Sequence, residues 1–211
     1  GRIDGEFFSA PETTPALNAY GKLRNYYGCQ ATLYGRTTML GGYANQLDPQ
    51  YLQAETFLSK EDFINPEGKS IGNFIVSMDP TGILGFSSHV LVKKGRAAAH
   101  VIEVLTEEVS SAYLSYLQRL GISYLFAGKK QLDCRILLEK LAAEFGINKL
   151  MVAGGGVTNW SFLREGLLDE LSLVIAPVAD GNTSAVSIFE QADFLPVHGP
   201  TAFHLKAVCF L

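Results

Sequence analysis

The stretch Leu150-Met151-Val152-Ala153-Gly154-Gly155-Gly156-Val157-Thr158-Asn159 carries the strongest chemical signal in this 211-residue sequence. An apolar run fit for a strand enters three glycines. Val157, Trp160, Leu163 and Leu167 then leave them at helical spacing, with Gly166 near the end. Glycines permit positive φ and let a ligand approach the backbone closely. The unpaired N–H groups of a helix's first turn point outward with the positive end of the dipole behind them, which suits a pyrophosphate. Thr158 or Asn159 can add a side-chain donor. The same residues also read as a tight strand–helix turn with no ligand. Neither common nucleotide fingerprint is met. No Gly-Lys-Ser/Thr follows, and Asn159 stands where G-x-G-x-x-G needs its last glycine.

A second strand-to-helix junction is Gly35-Arg36-Thr37-Thr38. Arg36 offers a planar guanidinium to a phosphate and the threonines offer hydroxyls. Arginine suits the 2′-phosphate that separates NADP from NAD. The alternative is a surface arginine beside a threonine cap. Arg24 interrupts the apolar face between Tyr20 and Tyr27, placed either to stack on the tyrosines or to reach an anionic substrate. His89, His100, His198 and His204 lack metal spacing and read as structural, and Trp160 reads as core. No nucleophile elbow or carboxylate pair stands out, which fits hydride transfer, where the cofactor carries the reactive chemistry.

The elements that must position these residues alternate between strand and helix. Residues 16–27 form a helix stopped by Gly28, and 31–34 a strand running into the Arg36 junction. Residues 45–70 lack periodicity and form an excursion. Residues 73–78 are a buried strand closed by the turn Asp79-Pro80-Thr81-Gly82. Strands follow at 90–93 and 99–105, a helix at 110–120 ending at Gly121, and a strand at 123–127. The clearest helix has Cys134, Leu137, Leu138, Leu141 and Phe145 in one stripe, Asp133 as N-cap and Gly146 as stop. Residues 149–153 form an apolar strand, 171–178 a long buried strand, and 203–210 an alternating last strand. The β-α-β order implies a mostly parallel sheet covered on both faces, with an antiparallel strand at the C-terminus.

Composition agrees. Hydrophobic residues make up 47% and charged residues 18%, enough for one sizeable core, so a single domain over 1–211 is expected. A net charge of −4 without a basic run argues against nucleic-acid binding. Cys29, Cys134 and Cys209 are odd in number and widely spaced, so buried thiols are expected rather than disulfides or a metal site. No apolar run is long enough to span a bilayer and no secretion signal is evident, so a cytoplasmic location away from membranes is expected.

The order Ala153-Gly154-Gly155-Gly156-Val157-Thr158-Asn159-Trp160, then Leu163-Arg164-Glu165-Gly166-Leu167-Leu168-Asp169-Glu170-Leu171 and Ile175-Ala176-Pro177, resembles the C-terminal signature of the riboflavin-pathway pyrimidine reductases. Gly35-Arg36-Thr37-Thr38 resembles the cofactor junction of dihydrofolate reductases. The resemblance implies a dihydrofolate-reductase-like three-layer α-β-α fold, NADPH as cofactor, a phosphorylated pyrimidine as substrate and a homodimer. It implies that Gly35, Arg36, Thr37, Thr38, Asp79, Gly154, Gly155, Gly156, Val157, Thr158 and Asn159 meet the cofactor, and that Ser9 and Arg24 meet the substrate. The implied reaction is hydride transfer to the imine form of 5-amino-6-(5-phosphoribosylamino)uracil, with catalysis mostly by positioning.

Three positions depart from the family pattern. Ala153 replaces a glutamate that touches substrate, which leaves another pteridine, pyrimidine or carbonyl substrate open, or an inactive dinucleotide-binding module. Pro80 replaces a serine. The family opens with a central strand ending in Ser-x-Asp-Gly; here either Gly1 ends that motif or Ile3-Asp4-Gly5 is its remnant.

Overall fold

The computed structural model describes residues 1–52 and 57–210. It forms two compact units, one of Gln30–Gly154 and one of Gly1–Cys29 with Gly155–Leu211.

The Gln30–Gly154 unit is built on β1 (Ala31–Gly35), α2 (Arg36–Leu40), β2 (Asn45–Gln46), α3 (Pro66–Ser70), β3 (Phe74–Met78), β4 (Leu84–Gly85), β5 (Val90–Leu91), β6 (Ala99–Leu105), α4 (Ser111–Leu120), β7 (Ser123–Phe126), α5 (Cys134–Phe145) and β8 (Leu150–Val152). Helix α1 (Thr14–Tyr27) and helix α6 (Gly156–Arg164) belong to the other unit. The main sheet runs β5-β6-β3-β1-β8, with β7 also on β6. All its pairings are parallel except β5 on β6, where Val90 faces His100 and Leu91 faces Ala99. The mostly parallel α/β sheet expected from the sequence is present, but its antiparallel member is β5. Strands β2 and β4 form a separate antiparallel pair inside the aperiodic stretch 45–70 and beyond it; residues 53–56 of that stretch lie outside the described residues.

Strand register decides which side chains share a face. Tyr34, Ser77, Glu103 and Tyr124 lie on one rung across β1, β3, β6 and β7. This face packs under α4, whose Tyr113, Leu114, Tyr116 and Leu117 join Tyr34, Ile75, Val101 and Leu105 in one buried cluster. The opposite face meets α5, where Phe74 and Phe145 rings stand edge-on at 5.4 Å. It also meets α3, where Gly68 lies so close to the His100 ring that an added Cβ would stand 2.2 Å from it. Sheet and two helix layers give the three-layer α-β-α arrangement.

The helix ends follow their local chemistry. Ser110 accepts from the Tyr113 N–H, and Asp133 accepts from the Arg135 and Ile136 N–H groups, as N-caps do. Gly121 and Gly146 close α4 and α5 in the left-handed conformation at φ 70 and 66.

In the other unit, Arg2 and Ser187 form an antiparallel bridge, so residues around Ile3-Asp4 run beside the chain near Val186. The long strand expected at 171–178 and the last strand expected at 203–210 do not form. A strand needs a ladder partner, and Pro177 cannot donate to one. The Val178 N–H turns back to the Ala176 carbonyl instead, and Leu173 and Ile175 remain exposed. Residues 170–172 are tied by side chains: Tyr27 donates to Glu170 and meets Ser172, and Lys206 pairs with Glu170 at 2.8 Å. Cys134 is buried as expected; Cys29 is only half-buried and Cys209 is exposed, because its segment lies outside the sheet.

Candidate active site

At the carboxyl ends of β1 and β3 the chain places an arginine against a buried aspartate. Gly35 and Met78 are register partners, so the residues that follow them, Arg36 and Asp79, emerge side by side. Arg36 Nε donates to Asp79 Oδ1 at 2.9 Å and its Nη2 to Thr81 Oγ1 at 2.8 Å. Asp79 has no exposed surface. Its other oxygen accepts from the Ile83 and Leu84 N–H groups at 2.6 and 2.8 Å, with the Tyr113 hydroxyl 3.5 Å away. The turn that makes these bonds depends on Gly82, at φ 70, where a Cβ would strike the Tyr113 ring at 2.5 Å. Arg36 is therefore not a loose surface side chain. Two of its nitrogens are engaged, and among the described residues Nη1 meets no acceptor. The hydroxyls of Thr37 and Thr38 on the same helix also find no partner among those residues.

Next to this junction lies a buried acid that sequence reading missed. Glu103 has no exposed surface, and among the described residues neither its carboxyl oxygens nor the neighbouring Ser77 hydroxyl meets a partner at full hydrogen-bond geometry, although the two groups are close enough to influence each other. Burial lifts the Glu103 carboxyl well above its usual range, and the Asp79 charge lifts it further; the Ser77 hydroxyl and Arg36 pull the other way. The junction thus sets a buried carboxyl that holds its proton more tightly than usual behind the Arg36–Asp79 pair. The only trace in the sequence was an acidic residue inside an otherwise apolar run, Ala99-His100-Val101-Ile102-Glu103-Val104-Leu105.

Beyond β8, on the far side of β1, Ala153 continues the ladder by donating its N–H to the Leu33 carbonyl at 2.9 Å. Its side chain packs against the cluster under α4. Gly154 follows it.

In the other unit, Gly155 and Gly156 open α6. Neither they nor Gly154 has positive φ, so the reason for glycine here is space and not backbone conformation. A Cβ on Gly156 would stand 2.5 Å from the Ser187 carbonyl oxygen and 2.7 Å from Glu190. One on Gly155 would meet nothing within 4 Å, so the space on its Cβ side is open. Among the expected donors, Asn159 is already in use: its Nδ2 bonds the Ile188 carbonyl at 2.9 Å, and its Oδ1 is buried without a partner. Trp160 is half-buried, donates to Gln191 and packs edge-on to Phe189 and His198. Ser9 ends an exposed 3-10 turn (Glu6–Ser9). Arg24, in the last turn of α1, lies over the Tyr20 ring at 5.9 Å, the stacking its spacing allowed. Among the described residues no group of three or more His, Cys, Asp or Glu is placed to hold a metal.

A mostly parallel sheet between helix layers, with one antiparallel strand and a charged junction at its carboxyl edge, fits the dihydrofolate-reductase-like class of α/β proteins. The chain belongs to the RibD C-terminal domain family, whose model matches residues 22–209. Two curated proteins are similar over shorter stretches, both named 2,5-diamino-6-ribosylamino-4(3H)-pyrimidinone 5′-phosphate reductase. The one from Methanothermobacter thermautotrophicus is 39% identical over 64 residues, 30% of this chain and 29% of the relative. The one from Aquifex aeolicus is 32% identical over 90 residues, 43% of this chain and 40% of the relative. The match thus spans less than half the length of either relative.

Proposed function

We propose that the chain is an NADPH-dependent reductase acting on a phosphorylated ribosylaminopyrimidine of riboflavin biosynthesis. The observation that carries this reading is the Arg36–Asp79 junction at the carboxyl ends of neighbouring parallel strands, the edge where open α/β sheets bind ligands. Family membership and the names of the two relatives support the substrate class.

The residues fit a dinucleotide. Gly155 leaves open space where a side chain would stand, and Gly154, Gly156, Val157, Thr158 and Asn159 complete the loop and first turn of α6 proposed to hold the pyrophosphate. Gly35, Arg36, Thr37, Thr38 and Asp79 are the proposed contacts for the adenosine end, with Arg36 Nη1 reserved for the 2′-phosphate and Asp79 fixing the guanidinium plane. When bound, the nicotinamide supplies the hydride. The protein's part is to hold the acceptor close to it and to keep water out. Ser9 and Arg24 remain the proposed substrate contacts. The substrate is either the diaminopyrimidinone named for the relatives or the aminouracil expected from the sequence; the two differ at one ring substituent. As a reductase the chain is taken as one domain over 1–211, working as a homodimer in the cytoplasm. Incubation with NADPH and each pyrimidine tests the reading. Oxidation of the cofactor with either one supports it, and oxidation with neither removes it.

A further inference from the structure

We propose that a cleft at the carboxyl end of α2 binds a phosphomonoester dianion, gripped by Arg96 and Lys93. The cleft, about 310 Å3, is lined by Leu40, Tyr43, Asn45, Phe86 and Ser87 together with the bare backbone of Gly41, Gly42 and Gly85. That volume is at the small end of ligand pockets and fits a sugar phosphate better than a dinucleotide. It lies past the end of α2 opposite to Arg36, and the inference does not rest on the reductase reading.

Two cations from the turn between β5 and β6 touch its walls. Arg96 Nη1 bonds both the Tyr43 hydroxyl at 2.7 Å and the Tyr34 hydroxyl at 3.0 Å. Tyr34 is buried and its ring stacks on Tyr43 at 4.8 Å, so the guanidinium is held by a rigid pair. Tyr43 remains a neutral donor at physiological pH, since burial and then the Tyr34 hydroxyl push it up to about 12. Lys93 Nζ donates to the Gly42 carbonyl and sits over the Tyr43 ring at 4.9 Å. A Cβ on Gly42 would meet nothing within 4 Å, so this stretch of the cleft wall is bare backbone.

Lys93, Lys94 and Arg96 fall within four positions, yet among the described residues no carboxylate is within ion-pair distance of Lys93 or Arg96. Arg96 spends only Nη1 on the tyrosines. Among the described residues its Nε and Nη2 meet no acceptor, and they form a fork of the geometry that takes two phosphate oxygens. Lys93 retains two further ammonium hydrogens. A guanidinium pre-oriented by tyrosines beside an open cleft loses little freedom when an anion arrives.

Calorimetric titration of the full chain, without cofactor, with ribose 5-phosphate and with inorganic phosphate tests this. The parent binds ribose 5-phosphate. Arg96→Ala and Lys93→Ala each weaken it about tenfold or more, the loss of one charge-assisted contact, and Arg96→Lys loses less than Arg96→Ala. Lys94→Ala, on the exposed side of the turn, leaves binding unchanged. Equal affinity for both probes assigns the grip to the phosphate alone, and preference for the sugar phosphate assigns the rest of the cleft to the ribose. Thermal midpoints confirm that each variant is folded; should Arg96→Ala not fold, Arg96→Lys and Lys93→Ala decide. No binding of either probe by the parent, or equal affinity in parent and folded variants, overturns the proposal. Because no cofactor is present, this result is independent of any failure of NADPH oxidation.

Discussion

Replacing Arg36 with alanine separates two roles that the sequence merges. Asp79 is fully buried and would lose the cation it pairs with among the described residues while keeping two backbone donors on Oδ2. Removing one partner of a buried pair costs about 3–5 kcal/mol. The Arg36 side chain is 33% exposed, so the low end applies, about 3 kcal/mol. For a chain of this size that lowers the thermal midpoint by roughly 6–12 °C. Arg36→Ala/Asp79→Asn removes the stranded charge and recovers much of the loss. Cofactor affinity is then compared below the unfolding transition. NADPH binding weakens by roughly ten- to a hundred-fold, the worth of one charge-assisted contact of about 1.5–3 kcal/mol, while NADH binding is nearly unchanged. Scanning calorimetry and cofactor titration of parent, single and double variants read both effects. An unchanged midpoint in Arg36→Ala would refute the buried ion pair. Equal weakening of both cofactors would refute the 2′-phosphate role and pass it to Lys129 or Lys130, the next candidates for it.

Glu103→Gln replaces a buried carboxyl whose proton is held more tightly in the folded state than in the unfolded one. The parent therefore loses stability as pH rises above the unfolded carboxylate range until Glu103 itself ionises, and the variant lacks this decline. Denaturant melts at pH 4 and pH 8 should show the variant gaining on the parent only at the higher pH. His100 moves the opposite way. Burial lowers it from 6.5 to about 4, so its contribution is complete above pH 6.5 and is lost as pH falls through 4. Burial is the main cause; the His89 carbonyl, 3.0 Å from Nδ1, pulls the other way, and Nε2 lies 2.7 Å from the Ser123 hydroxyl. Midpoints measured between pH 7 and pH 4 should fall in the parent and flatten in His100→Gln. Gly68→Ala forces a methyl into the His100 ring and should cost at least about 1–3 kcal/mol, read as a lower unfolding midpoint.

The sheet and its helices were legible because they rest on local periodicity and caps. Asp133 with Gly146, and the stripe from Cys134 to Phe145, specify α5 without reference to anything distant. The Arg36 junction was legible in its residue types but not in its pairing, because the bond to Asp79 spans 43 positions and depends on the register of β1 with β3. Glu103 and Ser77 escaped for the same reason, since nothing local shows that they share a rung. Residues 171–178 and 203–210 failed in the other direction. Their apolar alternation is real, but alternation only makes a strand competent, and a ladder partner makes it a strand. The glycines at 154–156 stood out for conformational freedom and for close approach of a ligand; none has positive φ, and Gly156 is needed for the close approach of Ser187 and Glu190.

Hydride transfer is the central claim, and an isotope tracer tests it most directly. NADPH carrying deuterium at the transferable position of its nicotinamide is incubated with the protein and the phosphorylated ribosylaminopyrimidine, and the pyrimidine is recovered for mass spectrometry. The account predicts a ribitylamino product carrying one deuterium at the carbon that bore the imine. A pyrimidine recovered without deuterium, or a reduced product whose new hydrogen comes from solvent, would contradict it.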